Sequence, residues 1–212
     1  MINGFSSNSQ LVESLIRDGY IKSEVVARAF LEVDRSDFVW PGSEKLAYVD
    51  EPLILGDTGQ TISAPSMIAI MLEALELKKY ENVLEIGTGS GYSAALISRI
   101  VRPGSVLTVE LNYRLYLFAR KNLEKYSNVI PVFADGSKGF PMFSREELYD
   151  KAVIMAAAQS VPEEVLAQVK ENGFVLVPVG GRGYQELKRK WKNGREESFG
   201  GCIFVPLRSI LG

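Results

Sequence analysis

The stretch of sequence that decides the fold is Val83-Leu84-Glu85-Ile86-Gly87-Thr88-Gly89-Ser90-Gly91-Tyr92. It begins as a short apolar strand, continues as a turn with glycine at alternate positions, and then opens a helix. Glycine lets the backbone turn tightly and approach a ligand, and a helix start offers unpaired N–H groups and a positive dipole end. In an open α/β sheet, ligands bind at this carboxyl end of the strands. The stretch therefore predicts both a parallel sheet and a ligand site at its edge.

Strands and helices continue to alternate after this turn. The predicted strands cover residues 83–86, 105–110, 129–133, 151–157 and 174–179, and the predicted helices cover residues 92–101, 113–126 and 163–170. The Asn193-Gly194 pair is a hairpin signal, so strands over 184–191 and 199–207 should pair antiparallel. We expect an α/β, Rossmann-like, doubly wound and mainly parallel sheet of about seven strands with a C-terminal antiparallel hairpin and an N-terminal helical extension.

The chain before this alternation has a different texture. Apolar residues recur at helical spacing in its first part, and Ser23 stands where it would cap a second helix. Residues 35–62 are broken by proline and glycine and predict an irregular segment, and Pro65 stands where another helix could begin. We predict that residues 1–75 form a helical and lid extension packed on a ligand-binding domain of residues 76–212, within one compact unit.

Composition excludes several kinds of chemistry. The chain of 212 residues has no histidine and one cysteine, Cys202. Without histidine there can be no Ser-His-Asp triad, no Cys-His pair and no His-ligated zinc. A lone cysteine excludes internal disulfides and cysteine-clustered metal sites, so we expect no metal, and we place Cys202 in the core. Any chemistry must proceed without a side chain whose unperturbed pKa lies near neutrality.

Charge and hydropathy predict the setting of the protein. Its 24 basic and 26 acidic residues give a net charge of −2, so nucleic acid is not an expected partner. The basic residues of 188–195 are followed at once by Glu196 and Glu197, which is typical of a solvated hairpin. A signal pattern and an apolar run of about 20 residues are both missing, so we expect a cytoplasmic protein without a membrane partner.

Three carboxylates end three successive predicted strands. Glu85, Glu110 and Asp135 follow one another at intervals of 25 residues (110 − 85 and 135 − 110). A carboxylate after the second strand can hold a ribose diol, while Glu85 beside the turn suits a cationic ligand better than a pyrophosphate. The third glycine, Gly91, comes one residue early for a dinucleotide site, which disfavours a nicotinamide-dependent dehydrogenase. S-adenosylmethionine fits this set; the alternative is that Glu85 and Asp135 merely cap turns.

Several motifs carry a resemblance to a known family. The glycine turn resembles the first motif of class I methyltransferases, and residues 9–207 are similar to the protein-L-isoaspartate O-methyltransferase family. The most specific motif is Gly59-Gln60-Thr61-Ile62-Ser63-Ala64-Pro65. The other motifs, in the family's order, are Leu46-Ala47-Tyr48 with Glu51-Pro52-Leu53, Asp135-Gly136-Ser137-Lys138-Gly139-Phe140-Pro141, Ala156-Ala157-Ala158 before Val161-Pro162, Val177-Pro178-Val179-Gly180, and Phe204-Val205-Pro206-Leu207.

The resemblance implies a repair enzyme, which is expected to be a monomer. Members transfer a methyl group from S-adenosylmethionine to the α-carboxylate of an L-isoaspartyl residue in damaged proteins or peptides, and the ester then closes to a succinimide. Ser63 is the implied catalytic residue. The predicted cofactor-binding residues are Glu85, Gly87, Thr88, Gly89, Ser90, Gly91, Glu110, Leu111, Asp135 and Gly136. The predicted substrate-binding residues are Gln60, Thr61, Ile62, Ser63, Ala156, Ala157, Ala158, Val205 and Leu207.

The missing histidine agrees with this chemistry. A carboxylate with a pKa of about 4 is already ionised at neutral pH and needs no general base. The family commonly has histidine after Ala-Pro where this chain has Ser66, and we expect methyl transfer to survive that change. Ser63 could instead cap the helix after it, and Val205 and Leu207 fit a core strand equally well. Two other functions remain open, a carboxyl methyltransferase with a different acceptor and a non-catalytic S-adenosylmethionine-binding homologue.

Overall fold

The computed structural model describes residues 5–210 as one large sheet with helices packed around it. The helices are α1 (Asn8–Arg17), α2 (Glu24–Glu32), α3 (Pro65–Leu75), α4 (Tyr92–Val101), α5 (Tyr113–Asn122) and α6 (Glu163–Gln168). The strands are β1 (Leu53–Ile54), β2 (Thr61–Ile62), β3 (Val83–Ile86), β4 (Val106–Glu110), β5 (Val129–Phe133), β6 (Tyr149–Ile154), β7 (Val169–Gly181), β8 (Tyr184–Trp191) and β9 (Glu196–Cys202). Across this part of the chain, no helix combines the length and apolar character that crossing a membrane requires.

The large sheet has seven strands in the order β5-β4-β3-β6-β7-β8-β9. The five strands from β5 to β7 in this order are parallel, and β8 and β9 extend the sheet antiparallel. The chain moves from β3 outward through β4 to β5 and then returns to β6 on the other side of β3. The topological switch point therefore lies beside β3, where an open α/β sheet binds its ligands. The fold class predicted from the sequence is confirmed.

The central strands are buried because helices cover both faces of the sheet. All four residues of β3 are buried. Successive strand residues point to opposite faces, and so Val83 belongs to the apolar cluster that also contains residues of α1 to α5, whereas Leu84 belongs to the cluster that contains residues of α6. The carboxyl end of β3 is thus held rigidly from both sides.

The N-terminal helices pack into the same core as the sheet. Ser23 caps α2 as expected, since its side chain accepts a hydrogen bond from the backbone N–H of Val26. Phe30 of α2 is fully buried, and its ring centroid lies 6.1 Å from that of Tyr92 at the start of α4. Phe38 packs on the same tyrosine at 5.5 Å. The extension therefore touches the helix that follows the glycine turn.

The segment expected to be irregular contains a small hairpin, here called the lid hairpin, formed by β1 and β2. Leu53 pairs with Ile62, and both side chains are buried, which anchors the hairpin to the core. Gly56 has a φ of +63°, and a Cβ there would meet the Trp40 ring at 2.8 Å, so the turn packs closely on that ring. Because these two facing side chains are buried together, a segment rich in turn residues forms a pair of strands here.

The final strand ends earlier than the prediction of residues 199–207. β9 stops at Cys202, which is buried there, and the chain then crosses to the end of β6. The backbone N–H of Ala157 donates to the Val205 carbonyl at 2.8 Å, and that of Leu207 donates to the Ala157 carbonyl at 2.8 Å. Proline between them has no N–H for a ladder bond, which favours departure from the sheet. Similarly, α6 is shorter than predicted because β7 already begins at Val169.

Candidate active site

A cavity of about 300 Å³ opens at the carboxyl ends of β3 and β4. The glycine turn, the end of the lid hairpin and the chain that follows β9 form its walls. The predicted site residues that line it are Gln60, Thr61, Ile62, Ser63, Gly87, Thr88, Gly89, Ser90, Glu110, Leu111, Gly136, Ala156, Val205 and Leu207. The predicted site residues that do not line it are Glu85, Gly91, Asp135, Ala157 and Ala158. Cofactor and substrate candidates therefore share one cavity, and five candidates lie behind its walls.

The glycine turn has a backbone that side chains would strain. Gly87, Gly89 and Gly91 have φ values of +95°, +57° and +90°. Gly87 and Gly89 line the cavity, whereas Gly91 faces the protein interior, where a Cβ would meet Leu123 at 2.9 Å. Gly91 thus permits α4 to start against α5 rather than touching a ligand.

Glu110 places a carboxylate at the cavity wall, at the end of β4. It is only 7% exposed, and its oxygens accept hydrogen bonds from the backbone N–H groups of Gly89 at 2.9 Å and Asn112 at 2.8 Å. Burial raises the pKa of this carboxyl above its ordinary value, and these hydrogen bonds oppose the shift. A carboxylate offers about four acceptor sites, so Glu110 keeps capacity for ligand hydroxyls.

Glu85 lies behind the glycine turn instead of in the cavity. It is fully buried within β3, opposite Thr108 in the register of β4. The Thr108 hydroxyl donates to one carboxylate oxygen at 2.6 Å, so the Thr88 hydroxyl, 2.6 Å away, must donate to Thr108. Burial raises the pKa of the carboxyl to about 7, and the nearby hydroxyls of Ser93 and Thr108 oppose this shift. Glu85 therefore reaches the cavity wall through hydroxyl side chains: Thr108 and Thr88 on one side, and cavity-lining Ser93 on the other.

Asp135 has a structural role at the end of β5. Its carboxylate accepts hydrogen bonds from the backbone N–H groups of Ser137 at 2.9 Å and Ile210 at 2.8 Å, and from the Ser209 hydroxyl at 2.8 Å. Burial acts to raise the pKa of Asp135, but these hydrogen bonds hold it below its ordinary value. Asp135 therefore fastens the C-terminal segment, and its neighbour Gly136 is the residue that lines the cavity.

Ser63 faces the cavity and does not cap the helix after it. The cap position of α3 is Ala64, which provides no side-chain hydrogen bond, and Pro65 occupies the first turn. Asp50 performs the capping instead, since its carboxylate accepts from the backbone N–H of Ser66 at 2.8 Å. Within the part of the chain that the structure describes, the Ser63 hydroxyl makes no hydrogen bond. It is thus left for a ligand in the cavity.

The alanine run supports the opposite wall. Ala156 lines the cavity. Ala157 is bonded through its backbone to Val205 and Leu207, and the N–H of Ala158 donates to a carbonyl of β7 at 2.9 Å. Ala157 and Ala158 therefore hold the wall from behind, while Val205 and Leu207 contribute its surface.

Sequence reasoning missed several residues of the cavity. These are Ile68, Ile86, Tyr92, Ser93, Val109, Asn112, Leu115, Met155, Pro206 and Arg208. Asn112 carried a usable signal, because asparagine directly before a helix is a preferred cap, and its side chain accepts from the N–H of Arg114 at 3.0 Å. Ile86 and Val109 end apolar strands and were indistinguishable from core. Nothing in the sequence marked Arg208.

The residues of the cavity fit S-adenosylmethionine. The glycines of the turn leave space for the cofactor because they have no side chains. Apolar residues of β3, β4 and α5 provide a surface for its adenine base, and Glu110 can accept hydrogen bonds from its ribose hydroxyls. Glu85, which was expected to face a cationic ligand, lies behind the turn and does not line the cavity. Fold and site together define a class I methyltransferase that depends on S-adenosylmethionine.

Comparison with known sequences narrows this class. The sequence model of the Protein-L-isoaspartate(D-aspartate) O-methyltransferase (PCMT) family matches residues 6–211, and the chain belongs to this family. A relative from Methanopyrus kandleri, named protein-L-isoaspartate O-methyltransferase, is 46% identical over 209 residues, which cover 95% of this chain and 91% of that one.

Solved structures agree with the assignment. A protein-L-isoaspartate O-methyltransferase structure has a TM-score of 0.81 at 33% identity and covers 97% of this chain and 67% of its own. A PCMT structure from Plasmodium falciparum, in complex with S-adenosyl-L-homocysteine, has a TM-score of 0.85 at 24% identity and covers 96% of this chain and 99% of its own. At this level of identity, the similarity to the Plasmodium falciparum structure supports the fold alone.

Proposed function

We propose that this chain transfers a methyl group from S-adenosylmethionine to the α-carboxylate of L-isoaspartyl residues in damaged proteins or peptides. The resulting ester closes to a succinimide, which begins repair. Membership of the family and the name of the relative from Methanopyrus kandleri support the proposal. When bound, S-adenosylmethionine supplies a methyl group already activated by its sulfonium charge.

The observation that carries the proposal is the absence of a general base along the cavity. Among the described residues that line it, the ionisable side chains are Tyr92, Glu110 and Arg208. Burial raises the pKa of Tyr92, and both oxygens of Glu110 already accept backbone hydrogen bonds. Such a cavity is poorly equipped to deprotonate an amine or a hydroxyl. It suits an acceptor that arrives ionised, and Arg208 is an exposed cation at its wall that attracts an anion.

Residues of this chain then have positioning tasks. Ser63 donates its hydroxyl hydrogen to an oxygen of the acceptor carboxylate, and the lid hairpin covers the reacting atoms. The small side chain of Ala156 leaves space for a peptide at the opposite wall. Alignment of two reactants without a base can supply about 7–11 kcal/mol of the barrier reduction.

The expected partners and setting are part of the same proposal. We expect isoaspartyl proteins and peptides as partners and a monomer as the active form. A reducing cytoplasm is compatible with Cys202, since burial raises the pKa of this thiol to about 11 and keeps it unreactive.

The test is transfer of a labelled methyl group to an isoaspartyl peptide, with the aspartyl peptide as the acceptor control. Ser63→Ala should lower kcat about tenfold to a hundredfold, because it removes one hydrogen bond to a charged reactant, and should leave affinity for S-adenosyl-L-homocysteine within about threefold. Ser66→Ala is the matched control: it changes a serine three positions away that does not line the cavity, and kcat should stay within about twofold.

Two outcomes would contradict the proposal. Equal labelling of the aspartyl peptide would favour a carboxyl methyltransferase with a broader acceptor. Tight binding of the cofactor without labelling of any acceptor would favour a non-catalytic homologue.

A further inference from the structure

A buried arginine lies beneath the lid hairpin and joins its two ends. Arg35 is fully buried in a short 3₁₀ turn after α2. One terminal nitrogen donates to the carbonyls of Ala47 at 2.9 Å and Val49 at 3.2 Å. The other donates to the carbonyls of Glu51 at 3.2 Å and Ser63 at 3.0 Å. The first three carbonyls precede β1, and the fourth directly follows β2.

The partners of Arg35 are unusual for a buried charge. In residues 5–210 no carboxylate forms an ion pair with the guanidinium, and its Nε has no hydrogen-bond partner. Burial lowers the pKa of Arg35 to about 10, which still leaves the side chain cationic at neutral pH. A buried charge is costly unless hydrogen bonds compensate it. Four main-chain carbonyls supply that compensation here, so the backbone at both ends of the hairpin is fixed to one planar group.

Arginine is the side chain that can make this arrangement. Its guanidinium presents donors in a rigid fork, whereas the lysine ammonium has three rotatable donors at one point. Lysine could keep the charge but could not reach four carbonyls that surround a planar group. The neighbouring residue Asp34 also holds the segment before β1, because its carboxylate accepts a hydrogen bond from the Tyr48 hydroxyl at 2.9 Å.

We propose that Arg35 is a positioning residue that sets the place of Ser63 and the lid hairpin over the cavity. This inference rests on the proposed function, in which Ser63 holds the acceptor carboxylate. Arg35 does not line the cavity and acts through the Ser63 carbonyl. Loss of the clamp should therefore affect turnover of the acceptor much more than binding of the cofactor at the glycine turn.

The test compares Arg35→Lys with Arg189→Lys. Arg189 is the other buried arginine among residues 5–210, and it donates to the Ala74 carbonyl and to Glu76 at 3.0 Å, away from the cavity. Both changes keep the charge and remove a buried fork, so both should lower the melting temperature. A purely structural role would show the same activity profile in both variants.

For Arg35→Lys, kcat for an isoaspartyl peptide should fall about tenfold to a hundredfold, while affinity for S-adenosyl-L-homocysteine stays within about threefold. For Arg189→Lys, both quantities should stay within about threefold. Unchanged kcat in Arg35→Lys, or an equal loss in the two variants, would overturn the inference.

Amide hydrogen exchange separates this inference from the proposed function. Peptides covering residues 47–64 should exchange at least about fivefold faster in Arg35→Lys and not in Arg189→Lys. A wild-type enzyme that labels no isoaspartyl peptide would overturn the proposed function, and the exchange comparison would then decide the clamp alone. If amide exchange of residues 47–64 in Arg35→Lys equals that of the wild type, the role of Arg35 as a clamp is overturned.

A measurement on the wild-type protein covers a failure of Arg35→Lys to fold. In low urea, amides just before β1 and just after β2 should open with one shared free energy, because one guanidinium holds both segments. Independent opening of the two segments would overturn the inference.

Discussion

Glu85 and Glu110 show how the surroundings of one residue type decide its role. Both end or nearly end neighbouring parallel strands, at the same edge of the sheet. Glu110 is the last residue of β4 and reaches the cavity, whereas Glu85 lies one residue earlier in its strand and is paired with Thr108. Thr108 faces Glu85 and lies two residues before Glu110, so both carboxylates point to the same face of the sheet, but Glu110 lies nearer the edge where the cavity opens. A spacing of 25 residues identified both carboxylates, but it does not give the register between β3 and β4, which decides how near each carboxylate lies to that edge.

The buried carboxyl of Glu85 should make stability depend on pH. Its pKa is about 7 in the folded protein against 4.5 in the unfolded chain, because burial disfavours the charge. Between these pH values the folded state holds a proton that the unfolded state releases. The free energy of unfolding that Glu85 contributes is therefore fully present below pH 4.5 and is lost as the pH rises through about 7. The loss should reach about 3 kcal/mol.

Denaturant titrations of the wild-type protein and of Glu85→Gln measure this effect, because other titrating groups cancel in the difference. The stability of the wild type relative to the variant should fall with rising pH across this window. A difference that does not change with pH would mean that Glu85 keeps its ordinary pKa.

Glu110 should contribute directly to cofactor affinity. Glu110→Gln keeps the shape of the side chain but places an amide donor against one of two backbone donors, Gly89 or Asn112. Calorimetry with S-adenosyl-L-homocysteine should show Kd raised about tenfold to a hundredfold. Glu124→Gln, an exposed change just beyond α5, is the control and should leave Kd unchanged. Equal affinity in all three proteins would remove Glu110 from the binding site.

At the scale of secondary-structure elements, the sequence correctly predicted those helices, strands and turns that depend on residues close together in the chain. The glycine turn, β3 and α4 were placed correctly because apolar runs, glycines and a helix start agree there. The path of residues 203–208 was not predictable, because it depends on a backbone pairing with Ala157, far away in the sequence. Arg35 was missed for a related reason: an arginine between polar neighbours gives no sign of burial until the lid folds over it.

The lid hairpin also has an exposed link to α5. Arg114 at the start of α5 forms an ion pair with Asp57 in the hairpin turn, with 59% and 75% of the side chains exposed, and so joins two elements that both contribute residues to the cavity wall. Exposed pairs contribute about 0–1 kcal/mol and are screened by salt. Asp57→Asn should therefore speed release of S-adenosyl-L-homocysteine up to about fivefold at low ionic strength, and have no effect at about 1 M salt.

Stopped-flow release measurements check this link. Glu24→Gln, which breaks an exposed ion pair with Arg28 far from the cavity, should not change the release rate. A salt-independent effect of Asp57→Asn would point to a role other than the ion pair.

At the scale of the whole molecule, the extension and the sheet domain have a common core. Residues of α1, α2 and α3 belong to the same apolar cluster as residues of α4, β3 and β7. Fully buried Phe30 packs on Tyr92, the first residue after the glycine turn. We therefore propose that residues 1–75 and 76–212 fold as one cooperative unit.

Phe30→Ala tests this unity. The change should lower the free energy of unfolding by about 3–5 kcal/mol, and unfolding should remain a single transition by both fluorescence and circular dichroism. Residues 76–212 expressed alone should fail to bind S-adenosyl-L-homocysteine, because Tyr92 would lose its cover. A folded, cofactor-binding fragment would show that the extension is a separate domain.

The walls of the cavity come from distant parts of the chain: Gln60–Ser63 on one side, the turn after β3 on the floor, and Val205–Arg208 on the other side. Contacts so far apart in sequence form slowly, because the entropy of closing long loops must be overcome first. During refolding, the parallel strands can therefore assemble before the cavity is complete. Recovery of methyl transfer therefore reports when the walls of the cavity come together. Recovery of secondary structure reports only the formation of the sheet and helices.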